Sequence, residues 1–314
     1  MQNAVKIPGR NNMSQVTSPT SKRNLPARIF LSPDEPRLRA GWRLLIQFLL
    51  IGAINTVLYS LIGLIDIPEL SEGWELLLRQ ILELITYAGS IYIARRWLDR
   101  RSFESLGLKV NRQAAFDVLA GIGIVFLQWG FIYGVLSSLG WVKFEGFAWQ
   151  YDTPTTVLAG TLLFAAIFIL VGWNEELLSR GYHLQTIASG LNLFWGVLLS
   201  SAFFAYLHID NPNASWISTA GIFLAGLYQA YAYLRTRQLW LPIGLQIGWN
   251  FFEGVVFGFP VSGLGAYALT RIRVTGPALW TGGGFGPEAG LILFPSLIVG
   301  CVLIYWFTKN RKTT

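Results

Sequence analysis

The sequence predicts an all-α protein, a polytopic transmembrane helical bundle with about eight spans. Two observations carry this prediction: hydrophobic residues make up 53% of the 314 residues and charged residues only 13%, whereas a typical soluble domain has about 25% charged residues. So few charged side chains cannot cover the surface of a soluble fold of this length, and the composition therefore indicates a lipid environment. One cysteine and two histidines exclude a disulfide framework, a multi-cysteine metal site and a three-histidine metal centre.

The chain divides into a polar tail and an apolar remainder. Residues 1–36 are rich in Ser, Pro, Asn, Lys and Arg and lack an apolar stretch of signal-peptide length, so they predict a disordered cytoplasmic tail. Residues 37–314 predict the transmembrane helical bundle, because a helix crosses hydrocarbon with about 20 apolar residues. The eight candidate spans are 44–65, 76–94, 118–136, 156–174, 193–208, 216–234, 239–257 and 289–307.

Basic residues cluster on one side of this arrangement. In the eight-span topology, 19 Lys and Arg residues fall in residues 1–43, in the loop 95–112, at 235–237 and in the C-terminal tail, and three fall on the other side. The positive-inside rule then predicts that both termini lie in the cytoplasm, and we expect a multi-pass protein of the plasma (inner) membrane. This distribution accounts for the net charge of +7, so we expect the lipid bilayer, and no nucleic acid, as a partner.

Two acidic residues follow the fourth candidate span. Polar groups inside such spans are costly and point to function unless a partner or the membrane interface explains them. Glu176 and Arg180 are four residues apart, so a helix places them on one face as an ion pair. Glu175 points about 100° away and has no such partner. Taken alone, the two acids are explained equally well by a position at the membrane interface.

A histidine further along the chain favours a catalytic interpretation of Glu175. His208 lies 33 residues after it, and the midpoint between the two falls in the turn-like sequence 189–192. If that turn joins two antiparallel helices, Glu175 and His208 lie at the same height, about 25 Å from the bend. A carboxylate and an imidazole would then face each other within the membrane.

A third polar cluster lies in the seventh candidate span. Gln246, Asn250 and Glu253 share one helix face, while Gly244 and Gly248 would let another helix approach closely. The amides would either bond helix to helix or donate N–H groups to a developing oxyanion. Gln246 and Asn250 lie about 13 and 20 Å along the helix from the basic end of this span, so we expect a cavity reached from the cytoplasmic side.

Three motifs in this order resemble those of the CAAX protease and bacteriocin-processing family of intramembrane endopeptidases. They are Glu175-Glu176-xxx-Arg180 with Gly181-Tyr182, then Phe204-xxx-His208, and the helix ending Gly248-Trp249-Asn250-Phe251-Phe252. The resemblance covers about residues 95–295, with a protease-like core at about 155–260. It implies a peptidase in a helical bundle, either glutamate-dependent or a metallo-endopeptidase, which hydrolyses a membrane-associated protein or peptide.

The resemblance also implies roles for individual residues. Glu175 and His208 would activate the hydrolytic water. Glu176 and Arg180 would brace the site, and Asn250 would donate a hydrogen bond to the oxyanion.

Gln246 departs from the family pattern, which normally has histidine at this position. A glutamine amide can donate a hydrogen bond to an oxyanion, but it is a poor transition-metal ligand. A divalent metal such as zinc, held by Glu175 and His208, is therefore a weakened expectation, and the sequence predicts no cofactor firmly. We favour a retained, reduced hydrolytic activity. The alternatives are a catalytically impaired pseudoprotease that binds a membrane partner and a transporter, against which the lack of an inverted sequence repeat counts.

Overall fold

The protein folds mostly into helices. The structure, a computed structural model, describes residues 25–33, 35, 37–65 and 69–311. Residues 1–24 of the predicted tail lie outside the described residues, whereas Leu25–Phe30 forms a short helix, α1. The other helices are α2 (Ala40–Ile62), α3 (Glu72–Ile93), α4 (Arg112–Ser138), α5 (Pro154–Glu176), α6 (Leu184–Gly190), α7 (Leu193–Tyr206), α8 (Trp216–Thr236), α9 (Trp240–Asn250), α10 (Ala278–Thr281) and α11 (Leu293–Thr308).

Among the described residues, four helical stretches are long and apolar enough to cross a membrane. They are Ala40–Ile62, Glu72–Leu98, Arg112–Ser138 and Pro154–Gly190, and two shorter helices, α7 and α11, are also apolar. Each of the eight candidate spans coincides with a helix, but the number of membrane crossings stays a prediction.

Several helices begin where the sequence supplies a capping side chain. The side-chain oxygen of the residue before the helix accepts a hydrogen bond from the backbone N–H three residues further on, which satisfies a donor that the first turn leaves free. The capping residues are Asn111 for α4, Thr153 for α5, Asn192 for α7 and Ser215 for α8.

A small sheet is the feature that the all-α prediction lacks. Strand β1 (Val142–Phe147) pairs antiparallel with β2 (Thr270–Val274), with an irregularity between Phe144 and Gly146. The sequence Thr-Arg-Ile-Arg-Val alternates polar and apolar residues, which is typical of a strand. The sheet ties the segment after α4 to the long connection between α9 and α11.

Helices α4 and α9 pack backbone to backbone through glycines. A Cβ at Gly121 would overlap the backbone of Gly244 and Leu245, and a Cβ at Gly244 would overlap the carbonyl of Val118. Gly248 lies against the next turn of α4 with slightly more room, since a Cβ there would be 3.1 Å from the Cα of Ile122. The predicted close approach at Gly244 and Gly248 is therefore confirmed, and it fixes the helix that carries Gln246 and Asn250.

Gly244→Leu is expected to destabilise the protein, because the added side chain has no room between α4 and α9. Overpacking of this kind costs about 1–3 kcal/mol. The melting temperature of the purified protein in detergent measures the effect, with Gly123→Leu as the control, since nothing lies within 4 Å of a Cβ at Gly123. Equal melting temperatures for the two variants would contradict the close packing.

Candidate active site

A helical hairpin brings Glu175 and His208 together. The helical stretch that begins with α5 ends at Gly190, and α7 begins at Leu193, so the turn predicted at 189–192 is confirmed. Glu175 lies on α5 and His208 two residues after α7, and Glu175 Oε1 is 3.7 Å from His208 Nε2. Both side chains are accessible, with exposed fractions of 23% for Glu175 and 13% for His208, so a reacting group can reach them.

The second ring nitrogen of His208 fixes its tautomer. Nδ1 is 2.9 Å from the carbonyl oxygen of Phe204, and a carbonyl can only accept a hydrogen bond, so Nδ1 carries a proton. In the neutral imidazole Nε2 is then left as an acceptor directed at Glu175. The Phe204 ring also packs edge-on against the imidazole, with ring centroids 4.9 Å apart. The motif Phe204-xxx-His208 thus orients the histidine.

Glu175 is also held by a chain of two glutamines. Gln246 Nε2 donates to Glu175 Oε2 at 2.7 Å, and Gln229 Nε2 donates to Gln246 Oε1 at 2.7 Å. Gln246 therefore holds Glu175 directly, and one of its two N–H groups is left for another acceptor. Gln229 was missed by the sequence analysis, although a glutamine inside the apolar helix α8 is a signal that could have found it.

Asn250 lies one helical turn beyond Gln246 and faces the same cavity. It is 5% exposed, and its amide makes no hydrogen bond to any residue in the described part of the chain. The N–H groups of Asn250 are therefore free to bind a ligand in the cavity. Such a ligand would offset the cost of leaving a buried amide without a partner.

Glu176 and Arg180 lie behind the cavity rather than in its wall. Both are fully buried, and Arg180 Nη1 donates to Glu176 Oε1 at 2.8 Å, which confirms the predicted ion pair. Arg180 Nη2 donates to the carbonyl of Gly226 on α8 at 3.0 Å, and the guanidinium lies 4.5 Å from the centroid of the Phe204 ring. The pair thus links α5, α7 and α8 around the residues that face the cavity.

Two of the helices that carry the site, α5 and α9, continue as π-helix immediately after it. The π-helical turns are Leu177–His183 after Glu176 and Phe251–Val256 after Asn250. Such turns are often found at functional sites, because one extra residue re-aims the side chains that follow. The widening takes Glu253 out of the face predicted from α-helical spacing, and Glu253 is absent from the cavity wall.

The site lines a cavity of about 450 Å³. Its inner wall is closed by buried side chains such as Leu178, Gln229 and Leu245, and its mouth is formed by exposed residues of the segments 207–212 and 261–265. These segments follow the ends of α7 and of the extended α9.

The basic segments meet at the opposite end of the bundle. There Arg43 binds Asp99 and donates to Ser189 Oγ at 2.7 Å, and the N–H of Leu239 donates to the carbonyl of Gly107 at 2.8 Å. The expectation that the cavity opens towards the basic loops is therefore wrong. The expectation rested on how far Gln246 and Asn250 lie along their helix. That distance does not show at which end of the bundle the cavity opens.

Glu288 is a cavity residue that the sequence analysis missed. It precedes α11, and its carboxylate accepts hydrogen bonds from Trp249 Nε1 at 2.9 Å and from Ser262 Oγ at 2.5 Å. Burial raises the pKa of Glu288 to about 7. No sequence motif marks Glu288, because it lies in an irregular part of the connection between α9 and α11.

The donor atoms around Glu175 do not fit a zinc centre. A catalytic zinc ion uses three protein ligands, and Glu175 and His208 supply two. At the third position Gln246 turns its amide nitrogen towards Glu175, and its oxygen is occupied by Gln229. Within the described ranges there is no group of three or more His, Cys, Asp and Glu side chains that could hold a metal ion. We therefore derive no catalytic step through a metal.

Comparison with known proteins finds a family match for the central part of the chain. Residues 156–252 match the family model of the type II CAAX prenyl endopeptidase Rce1-like proteins, a protease family. This stretch contains Glu175, Glu176, Arg180, His208, Gln246 and Asn250. No curated protein and no solved structure gives a significant match. The resemblance seen in the sequence is confirmed: residues 156–252 are similar to the type II CAAX prenyl endopeptidase Rce1-like proteins.

Proposed function

We propose that the protein is an intramembrane endopeptidase that hydrolyses a peptide bond of a membrane-associated protein or peptide. The observation that carries the proposal is the pairing of Glu175 Oε1 with His208 Nε2 at 3.7 Å in the wall of a cavity. The match of residues 156–252 to a protease family supports the reaction class.

The nucleophile is a water molecule held by Glu175 and His208. Two acceptors 3.7 Å apart leave room for a water beside them, at about 2.8 Å from each. As its oxygen attacks the scissile carbonyl carbon, the water gives one proton to Glu175, which acts as general base. His208 Nε2 accepts the other hydrogen bond and orients the lone pair of the water.

The developing oxyanion receives hydrogen bonds from Asn250 and from the free N–H of Gln246. Donors placed in advance where charge develops lower the barrier without reorganising during the reaction. The tetrahedral intermediate then collapses, the C–N bond breaks, and Glu175 returns its proton to the leaving amine. The reaction consumes one water molecule and leaves a new C-terminal carboxyl group and a new N-terminal amine.

Glu176 and Arg180 act as positioning residues in this scheme. They do not touch the cavity, and they hold α5 against the Phe204 ring that packs on His208.

A pseudoprotease is the second candidate, and one observation favours it. Gln246, which stands where the family normally has histidine, already donates to Glu175, and a hydrogen bond to a carboxylate lowers its basicity. A weakened base would leave a site that binds a peptide without cleaving it.

The orientation in the membrane is part of the proposal. We infer eight spans with both termini in the cytoplasm of a cell whose plasma (inner) membrane holds the protein, from the excess of Lys and Arg at one end of the bundle. Because the cavity opens at the other end, its substrates present their scissile segment on the non-cytoplasmic side.

Cysteine labelling is expected to report Ser102 and Leu264 on opposite sides of the membrane. Both residues are exposed, and they lie at the basic end and at the cavity mouth respectively. Ser102→Cys and Leu264→Cys are made in a Cys301→Ser background, and intact cells are treated with a thiol reagent that does not cross membranes. We expect labelling at position 264 alone. Labelling at position 102 alone would reverse the orientation, and labelling at both would exclude a membrane between them.

The function is tested by comparing membrane-protein C-termini in cells that carry the wild-type chain and in cells that carry Glu175→Gln. New C-termini present only with the wild type would identify the substrates. Identical sets of C-termini would contradict a peptidase function.

A further inference from the structure

A second groove continues from the catalytic cavity to the surface. This side groove has a volume of about 840 Å³ and lies between the start of α3 and the segment 263–267. It shares Leu76, Arg79 and Leu264 with the cavity that contains Glu175. A chain bound across Glu175 can therefore extend into the side groove without a break.

The side groove carries negative charge that nothing in the described protein neutralises. Glu72 and Glu75, in the first turn of α3, are exposed and line it, and neither pairs with a basic side chain among the described residues. The basic residue in its wall, Arg79, is already paired with Glu83 at 3.1 Å. A ligand with positive charge would complement this groove.

One wall of the side groove offers unused backbone groups. The segment 265–268 belongs to no helix or strand. The N–H and C=O groups of Gly265, Ala266 and Tyr267 make no hydrogen bond with any residue that the structure describes. Consecutive free backbone groups can pair with an extended peptide, as in recognition by β-strand addition. Leu76 and Phe164 add apolar contact area.

We propose that the side groove binds the extended segment of the substrate next to the scissile bond and selects a Lys or Arg side chain in it. Residues 265–267 pair with the backbone of that segment, and Glu72 and Glu75 bind the basic side chain. The catalytic consequence rests on the proposed endopeptidase function, whereas the binding preference does not.

Binding to an inactive full-length variant tests the groove separately from cleavage. Glu175→Gln protein is placed in nanodiscs of neutral phosphatidylcholine. The probes are fluorescent, palmitoyl-anchored apolar decapeptides that carry Lys, Gln or Glu at one scanned position. We expect the Lys peptide to bind about fivefold more tightly than the Gln peptide at one position, as two partly exposed ion pairs allow. High salt should reduce this preference.

Two comparisons decide the outcome. Adding Glu72→Gln and Glu75→Gln should abolish the preference, while adding Glu104→Gln, an exposed acid at the other end of the bundle, should leave it intact. An ester in place of one peptide bond beside the basic residue should weaken binding of the Lys and Gln peptides alike, because it removes a backbone donor.

A preference for the Lys peptide that is absent at every position, or that is unchanged in the variant with both Glu72→Gln and Glu75→Gln, would overturn the proposal even if the wild type cleaves. If the preference is present but the wild-type protein produces no new C-termini in cells, the groove stands and the peptidase proposal fails.

Discussion

Glu175→Gln is expected to lower the rate of peptide cleavage by about 10²- to 10⁴-fold, the contribution that a positioned general base makes. Glutamine has nearly the same shape and can still accept the hydrogen bond from Gln246, so the fold is retained, but its neutral amide cannot take a proton from water. Single-turnover cleavage of a substrate identified in cells, measured with purified protein in lipid vesicles, gives the rate.

Glu83→Gln is the matched control for this prediction. Glu83 lines the same cavity, but its carboxylate accepts hydrogen bonds from Arg79 and Gln80 and lies on another helix. We expect its rate to stay within about threefold of the wild type, since surface pairs contribute little. If Glu83→Gln were the inactive variant and Glu175→Gln the active one, the base would be on α3.

Asn250→Ala is expected to lower kcat by about 10²- to 10³-fold, the usual cost of losing one oxyanion donor. Because its amide makes no hydrogen bond to a described residue, the substitution removes no contact on which the fold depends. The melting temperature and KM should therefore change little while kcat falls. Measuring kcat, KM and melting temperature together checks this.

A matched substitution separates this role from a structural one. Asn211 also lines the cavity, but it donates to the carbonyl of Ser262 at 2.9 Å and so supports the mouth. Asn211→Ala should lower the melting temperature more than Asn250→Ala does. If Asn250→Ala lowers stability and leaves kcat unchanged, its amide is a packing group.

Local spacing predicts the parts of the site that lie on one helix or one hairpin. The Glu176 and Arg180 pair follows from helical periodicity, and the approach of Glu175 to His208 follows from a turn halfway between them. Both depend on distances along the chain, which the sequence contains.

Contacts between distant segments were not predictable in this way. The hydrogen bonds from Gln229 to Gln246 and from Gln246 to Glu175 join three helices, and their pairing depends on how those helices rotate against one another. The same holds for Glu288, which an irregular connection carries into the cavity, and for the end at which the cavity opens. The β1 and β2 strands were missed because each is short and its partner is more than 100 residues away.

We expect this chain to cleave peptides with Gln246 in the place of the family histidine. The most direct measurement compares cleavage rates of purified wild type, Glu175→Gln and Gln246→His, each with and without a zinc chelator. We predict that the wild type cleaves, that the chelator leaves its rate unchanged, and that Glu175→Gln is inactive. A wild type as inert as Glu175→Gln beside an active Gln246→His would contradict the claim and identify the natural chain as a pseudoprotease.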